Sequence, residues 1–217
     1  MKPLSYIFII IFFIYGCESK NDDYEIINRT KIISKNNCQI KVSYPEIEGL
    51  ADIEKMSGLN KVLEEYPEHE YYAKNCEQKK IKKDEVTGEY QILLKTDSIL
   101  SIEFRTLIPR ENLKTDTIYQ SVVINPKQSY KSKNGIVGLK PEQVIPNFDR
   151  RMLFPYIEKY GIKNKKHINL LAYKTGSNYV ITWTISKNDF IVYVGGEGEW
   201  FGENKIMIPL NKIKNNY

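Results

Sequence analysis

The stretch richest in groups that can do chemistry is Gly195-Gly196-Glu197-Gly198-Glu199-Trp200-Phe201-Gly202-Glu203. Two carboxylates flanking a scissile bond can act as acid and base in glycoside hydrolysis, which makes Glu197, Glu199 and Glu203 candidate hydrolase residues. The same stretch offers a second chemistry. Trp200 and Phe201 carry flat apolar rings that stack on a sugar or anchor a protein partner, and the glycines around them read as a turned connection between strands. Those glycines do not form a phosphate cradle, because both the dinucleotide spacing and the βαβ setting are missing. His69 stands on the polar side of a predicted helix, and His167 follows Lys163-Asn164-Lys165-Lys166. No serine nucleophile elbow accompanies either histidine. Binding is therefore favoured over catalysis, with no catalytic residue assigned and ligand contact placed on Trp200, Phe201, Glu197 and Glu199. A small glycan- or peptidoglycan-acting hydrolase built on the glutamates of residues 195–203 is the alternative.

The three cysteines are Cys17, Cys38 and Cys76. Lys2, an apolar run from Tyr6 to Tyr15 and the small Gly16 form a secretion signal over residues 1–16, too short for a bilayer span of about 20 residues. Ile14-Tyr15-Gly16-Cys17 resembles a bacterial lipoprotein box, which implies acyl chains on Cys17 and residues 17–23 as a tether. Glu18-Ser19-Lys20-Asn21-Asp22-Asp23 is similar to the export signals of Bacteroidetes surface lipoproteins. The resemblances imply lipid anchoring in a bacterial outer membrane, at the cell surface or on the periplasmic face. Outside the reducing cytosol, the remaining pair Cys38 and Cys76 predicts a disulfide. No cysteine or histidine spacing fits a zinc site, so no metal or cofactor is expected.

Composition sets the frame for these groups. Of 217 residues, 41% are hydrophobic and 27% charged, which describes a folding globular chain. The net charge of +5 arises from 32 basic and 27 acidic residues mixed along the whole length, so a nucleic-acid stripe is absent.

Apolar periodicity then supplies the elements that must position the candidate residues. Ile26, Ile27, Ile32 and Ile33, then Ile40, Val42 and Tyr44, predict two strands, with Pro45 ending the second. Ile53, Met56, Leu59, Val62, Leu63 and Tyr66 recur at helical spacing, Pro67 breaks that helix, and residues 68–83 predict a second. A strand meander follows through Tyr90, Ile92 and Leu94, then Ile102, Phe104 and Thr106, then Ile118 to Ile124. Met152 to Tyr160 predicts a short helix stopped by Gly161. Ile168 to Tyr173, Tyr179 to Ser186, Phe190 to Val194 and Lys205 to Leu210 predict further strands, with a hairpin turn at Lys187-Asn188-Asp189. The class expected is α+β, antiparallel β-meanders packed with a long N-terminal helical segment and a short central helix. Two subregions are expected, residues 24–145 and 146–217.

Ser43-Tyr44-Pro45-Glu46-Ile47, Leu59-Asn60-Lys61, Ser98-Ile99-Leu100-Ser101-Ile102, Val180-Ile181-Thr182-Trp183, Phe190-Ile191-Val192-Tyr193 and Ile208-Pro209-Leu210 together resemble the extracytoplasmic domain pair of lysozyme-sensing anti-sigma factors. The same pair occurs as an accessory region of cell-wall polysaccharide deacetylases. The resemblance implies a non-enzymatic module whose partner is a cell-wall glycan fragment or a protein such as lysozyme. Where that family carries a Gly-Gly-Ala-His-like segment, this chain reads Leu107-Ile108-Pro109-Arg110-Glu111-Asn112-Leu113, so a ligand contact at that place is not implied.

Overall fold

A computed structural model describes residues 24–35, 38–66, 86–108, 116–133, 135–164, 182–194 and 204–214. Among these residues the chain is mixed α/β and mostly sheet. Strands β1 (Glu25–Lys35) and β2 (Cys38–Glu48) form a long antiparallel hairpin. Helix α1 (Ile53–Glu65) follows, then β3 (Val86–Lys95), β4 (Leu100–Ile108) and β5 (Asp116–Ile124). These strands make one five-stranded sheet in the order β1-β2-β3-β4-β5. A small hairpin, β6 (Tyr130–Ser132) and β7 (Gly135–Val137), leads to the one-turn helix α2 (Pro141–Val144). A 3₁₀ turn (Arg150–Leu153) runs into α3 (Phe154–Asn164). Strands β8 (Thr182–Ile185), β9 (Asp189–Val194) and β10 (Asn204–Pro209) form a three-stranded antiparallel sheet in the order β10-β9-β8, and α4 (Leu210–Lys214) closes the described chain.

The meander β3-β4-β5 is antiparallel, as its alternating pattern predicts. The expectation of antiparallel pairing throughout fails at one place. Strands β2 and β3 run parallel, with α1 in the connection between them, and they pair only from Ile40 to Val42 with Val86 to Gly88. Residues 67–85 complete that connection outside the described residues, so the predicted second helix over 68–83 and the break at Pro67 fall there. So does the predicted strand over 168–173.

Helix α1 starts where Asp52 caps it, its Oδ1 accepting from Lys55 N at 2.9 Å. Leu59, Val62 and Leu63 are buried at helical spacing, whereas Ile53 in the first turn is 72% exposed and does not join the apolar face. Leu59 and Leu63 pack with Ile47, Leu100, Ile102, Phe104, Val122 and Ile124, so α1 covers one face of the large sheet. Tyr66, at the C-cap, stacks on Phe104 with centroids 5.0 Å apart.

Beyond Val42, β2 has lost β3 as a neighbour, and α1 supplies the missing partner. Asn60 accepts from Ile47 N through Oδ1 at 2.8 Å and donates through Nδ2 to Ile47 O at 2.8 Å. One amide side chain thus satisfies the pair of backbone groups that a neighbouring strand would otherwise meet. The same geometry explains why Pro45 does not end β2, contrary to the expectation from sequence. Residues 45 and 47 turn their backbone groups to the same side of the strand, away from β1. Pro45 pairs in register with Asn28, and its missing N–H lies on the side where no ladder bond is available.

Two further differences have local causes. Gly161 does not stop the central helix, which runs on to Asn164, and Pro155 sits in its first turn, where the absent N–H costs nothing. Gly138 lies against the β5 edge. A Cβ there would stand 2.6 Å from Val123 O, and Leu139 N donates to that same oxygen at 2.7 Å.

Replacing Asn60 by Ala leaves the N–H and C=O of fully buried Ile47 without partners. Urea unfolding should show a loss of about 2 kcal/mol or more for Asn60→Ala, with Asn60→Asp, which keeps only the acceptor, falling between it and wild type. An unchanged midpoint for Asn60→Ala would show that the amide does not substitute for a strand.

Candidate functional site

Strand β4 is buried on both faces. Leu100, Ile102 and Phe104 point toward α1, while Ser101 and Glu103 point toward the small sheet. Strand β8 lies across this second face with its outer edge down. Ile185 N donates to Ser101 Oγ at 3.0 Å, and Ser121 Oγ donates to Trp183 O at 2.9 Å. Two serine hydroxyls thereby satisfy one N–H and one C=O on the edge of β8 that has no strand neighbour among the described residues. Around this contact an apolar cluster joins Val123 of the large sheet to Trp183, Ile185, Phe190, Val192, Ile206 and Ile208, with Trp183 stacked on Phe190 at 5.2 Å.

One step further along β4, the interior becomes polar. Glu103, its side chain 7% exposed, accepts through Oε2 from Lys205 Nζ at 2.6 Å and from the Tyr193 hydroxyl. Tyr193 has one hydroxyl hydrogen and gives it to the carboxylate, so the Thr184 hydroxyl 2.9 Å away donates to the tyrosine oxygen. The Tyr193 ring stacks on Tyr119 with centroids 5.6 Å apart. Burial, and then the charge of and hydrogen bond to Glu103, push the Tyr193 phenol far above its ordinary value. A phenol held protonated is a poor base. Its shared oxygen with an ammonium makes the cluster a clamp between sheets rather than an acid–base pair.

The clamp bears directly on the acidic, glycine-rich stretch. Tyr193 and Lys205 face each other in the β9–β10 register, and residues 195–203 connect these two strands. Glu197, Glu199, Trp200, Phe201 and Glu203 lie outside the described residues, as do Cys17, Cys76, His69 and His167. Cys38 opens β2 opposite Lys35, at the β1–β2 hairpin. Of the residues singled out by sequence only Cys38 is among the described ones, and what the structure describes instead is the pair of strand ends that residues 195–203 connect. Glu103, Thr184, Tyr193 and Lys205 were not singled out. Their one sequence signal is a glutamate between Ile102 and Phe104 in a strand whose other face also carries a serine, and that does not name partners about 100 residues away.

Among the described residues no group of three or more His, Cys, Asp or Glu is placed to hold a metal ion, and no helix is long and apolar enough to cross a membrane. The other ion pairs among the described residues, such as Arg29 with Glu46 and Glu48, Lys31 with Glu64, Lys55 with Asp52, Arg105 with Glu89 and Arg151 with Asp149, lie at or near the surface and contribute little.

The Tyr193 phenol gives a measurable signature. Its proton stays in the folded chain after the unfolded chain has lost it, so this stabilisation is complete below about pH 10 and declines as the pH rises further. Tyr24 and Tyr66, each pushed up to about 12 mainly by burial, act in the same direction. Urea unfolding across about pH 9 to 11 should show wild-type stability falling, and Tyr193→Phe falling less, by about 1.4 kcal/mol over that whole range. Parallel slopes would refute a buried, protonated Tyr193.

No protein family matches the chain, and no curated protein does. Among solved structures the chain is similar to a member of the DUF3298 family from Bacteroides fragilis, at 10% identity and a TM-score of 0.43, covering 89% of this chain and 92% of that one. It is also similar to a DUF3298 family protein from Pseudomonas aeruginosa, at 10% identity and a TM-score of 0.45, covering 88% and 94%.

Proposed function

We propose that the protein is a non-enzymatic binding module of the bacterial cell envelope, carried on the outer membrane by fatty acyl chains such as palmitate on Cys17. Residues 1–16 are its signal peptide and 17–23 its tether. Its ligand is a cell-wall glycan fragment or a protein such as lysozyme, in keeping with the sequence resemblance to the extracytoplasmic domains of lysozyme-sensing anti-sigma factors. Trp200 and Phe201 form the apolar part of the contact, and Glu197 and Glu199 the polar part. A disulfide between Cys38 and Cys76 ties the first hairpin to the segment that follows α1.

The observation that carries this reading is the clamp. Glu103 holds a side chain from each strand flanking residues 195–203, Tyr193 on β9 and Lys205 on β10. A short connection leaving a fixed base loses less conformational entropy on binding than one leaving a mobile base, which suits a loop that recognises a partner. The clamp itself offers no free acid or base, which weighs against hydrolysis at this place.

Binding of purified protein to lysozyme and to soluble peptidoglycan fragments tests the reading. Trp200→Ala should weaken capture at least about tenfold with little change in melting temperature, as expected for an exposed aromatic anchor. A variant that unfolds instead places Trp200 in the core. Turnover of a glycan substrate that Glu197→Gln or Glu199→Gln abolishes would replace binding by catalysis. For the anchor, metabolic labelling with a fatty-acid analogue should mark wild type and not Cys17→Ser.

A further inference from the structure

The first described residue is fastened to one end of the large sheet. Tyr24 is 4% exposed, its hydroxyl donates to Thr96 O at 2.9 Å, and Lys95 Nζ lies 4.9 Å from its ring centroid. Thr96 belongs to the turn between β3 and β4, so the chain enters the domain at that turn. The start of β4 and the end of β5 lie at the same end, where Leu100 pairs with Ile124.

The small sheet has a defined direction relative to this end. Ile185 sits at Ser101, next to the start of β4, whereas Trp183 sits at Ser121, which pairs with Glu103. The β8–β9 turn therefore lies toward the entry end, and there Leu210 N, just after β10, donates to Asn188 O at 2.8 Å. Tyr193 and Lys205 reach the level of Glu103, so the Val194 and Asn204 ends of β9 and β10 point the other way, toward Ile108.

Covalent geometry limits how the domain can be held. From Cys17 to Tyr24 there are seven Cα-to-Cα steps, at most about 25 Å. The nine residues of β4 alone extend about 26 Å. For the opposite end of the sheet, at Ile108, to face the lipid, the whole tether would have to run back along the domain at full extension. We infer that the protein meets the bilayer surface through the end bearing Tyr24 and the Thr96 to Ile99 turn, and turns outward the Ile108 end, toward which Val194 and Asn204 point. This rests on acylation of Cys17, argued above. It specifies which surface is open to a partner: the end from which residues 195–203 depart, bordered by the exposed Glu89–Arg105 pair.

The test uses the full-length acylated protein in phosphatidylcholine vesicles carrying a headgroup-linked energy acceptor. A maleimide donor is placed at Ser98→Cys, in the entry turn, or at Glu89→Cys, roughly 20 Å along the strand, with the signal of identically treated wild type subtracted. Transfer from Ser98→Cys should exceed that from Glu89→Cys by about twofold or more. Equal transfer, or more from Glu89→Cys, in protein that carries acyl mass and floats with the vesicles overturns the orientation and leaves the anchor intact. Absence of acyl mass together with loss of flotation overturns both.

Discussion

Strand β4 is covered on both faces, and most of the structure follows from that constraint. An antiparallel strand with one wet face can alternate apolar and polar residues without further provision. Here the polar face is buried too, so Ser101 and Glu103 need partners inside the protein. Ser101 finds one in the backbone of β8, and Glu103 finds two in Tyr193 and Lys205. These bonds fix how the small sheet sits on the large one. A buried carboxylate is costly unless paired and hydrogen-bonded, and Glu103 has both an ammonium and a phenol.

A related problem arises wherever strand pairing stops. Strand β2 outruns β3, and Asn60 of α1 takes the place of the absent neighbour. Strand β8 has no second strand neighbour among the described residues, and Ser101 and Ser121 meet its outer edge. The β5 edge is met at Val123 O by Leu139 N, in a segment where Gly138 permits close approach. Each such bond contributes only about 1 kcal/mol net, but leaving a buried backbone group unpaired costs more. Side-chain surrogates allow an irregular mixed sheet to be covered without orphaned backbone groups.

These joints also give the molecule polarity. The tyrosine that begins the described chain and the clamp between β4, β9 and β10 lie at different levels of the two packed sheets. The aromatic layer Trp183, Phe190 and Phe148 fills the space between the small sheet and its helices, keeping the strands that carry Tyr193 and Lys205 in place.

Much of the element layout was legible in the sequence, because period-two and helical apolar patterns are local. The meander, the first hairpin, the face of α1 and the turn at Lys187-Asn188-Asp189 could all be read from neighbouring residues. What could not be read were properties set by residues distant along the chain. The parallel pairing of β2 with β3 depends on where the intervening connection returns, and local pattern carries no strand order. Pro45 inside β2 and Gly161 inside α3 run against their usual meaning, since only the neighbouring elements decide whether a missing N–H or a flexible backbone is costly at a given place. The sequence by itself determined which segments have an apolar face, and it marked Gly195 to Glu203 as chemically dense. Only the tertiary structure decided that Glu103 would be buried and joined to Tyr193 and Lys205. A carboxylate between two apolar residues reads as a solvent-facing position until a second sheet covers it, and the charge and hydroxyl that make its burial tolerable come from strands about 90 to 100 residues later.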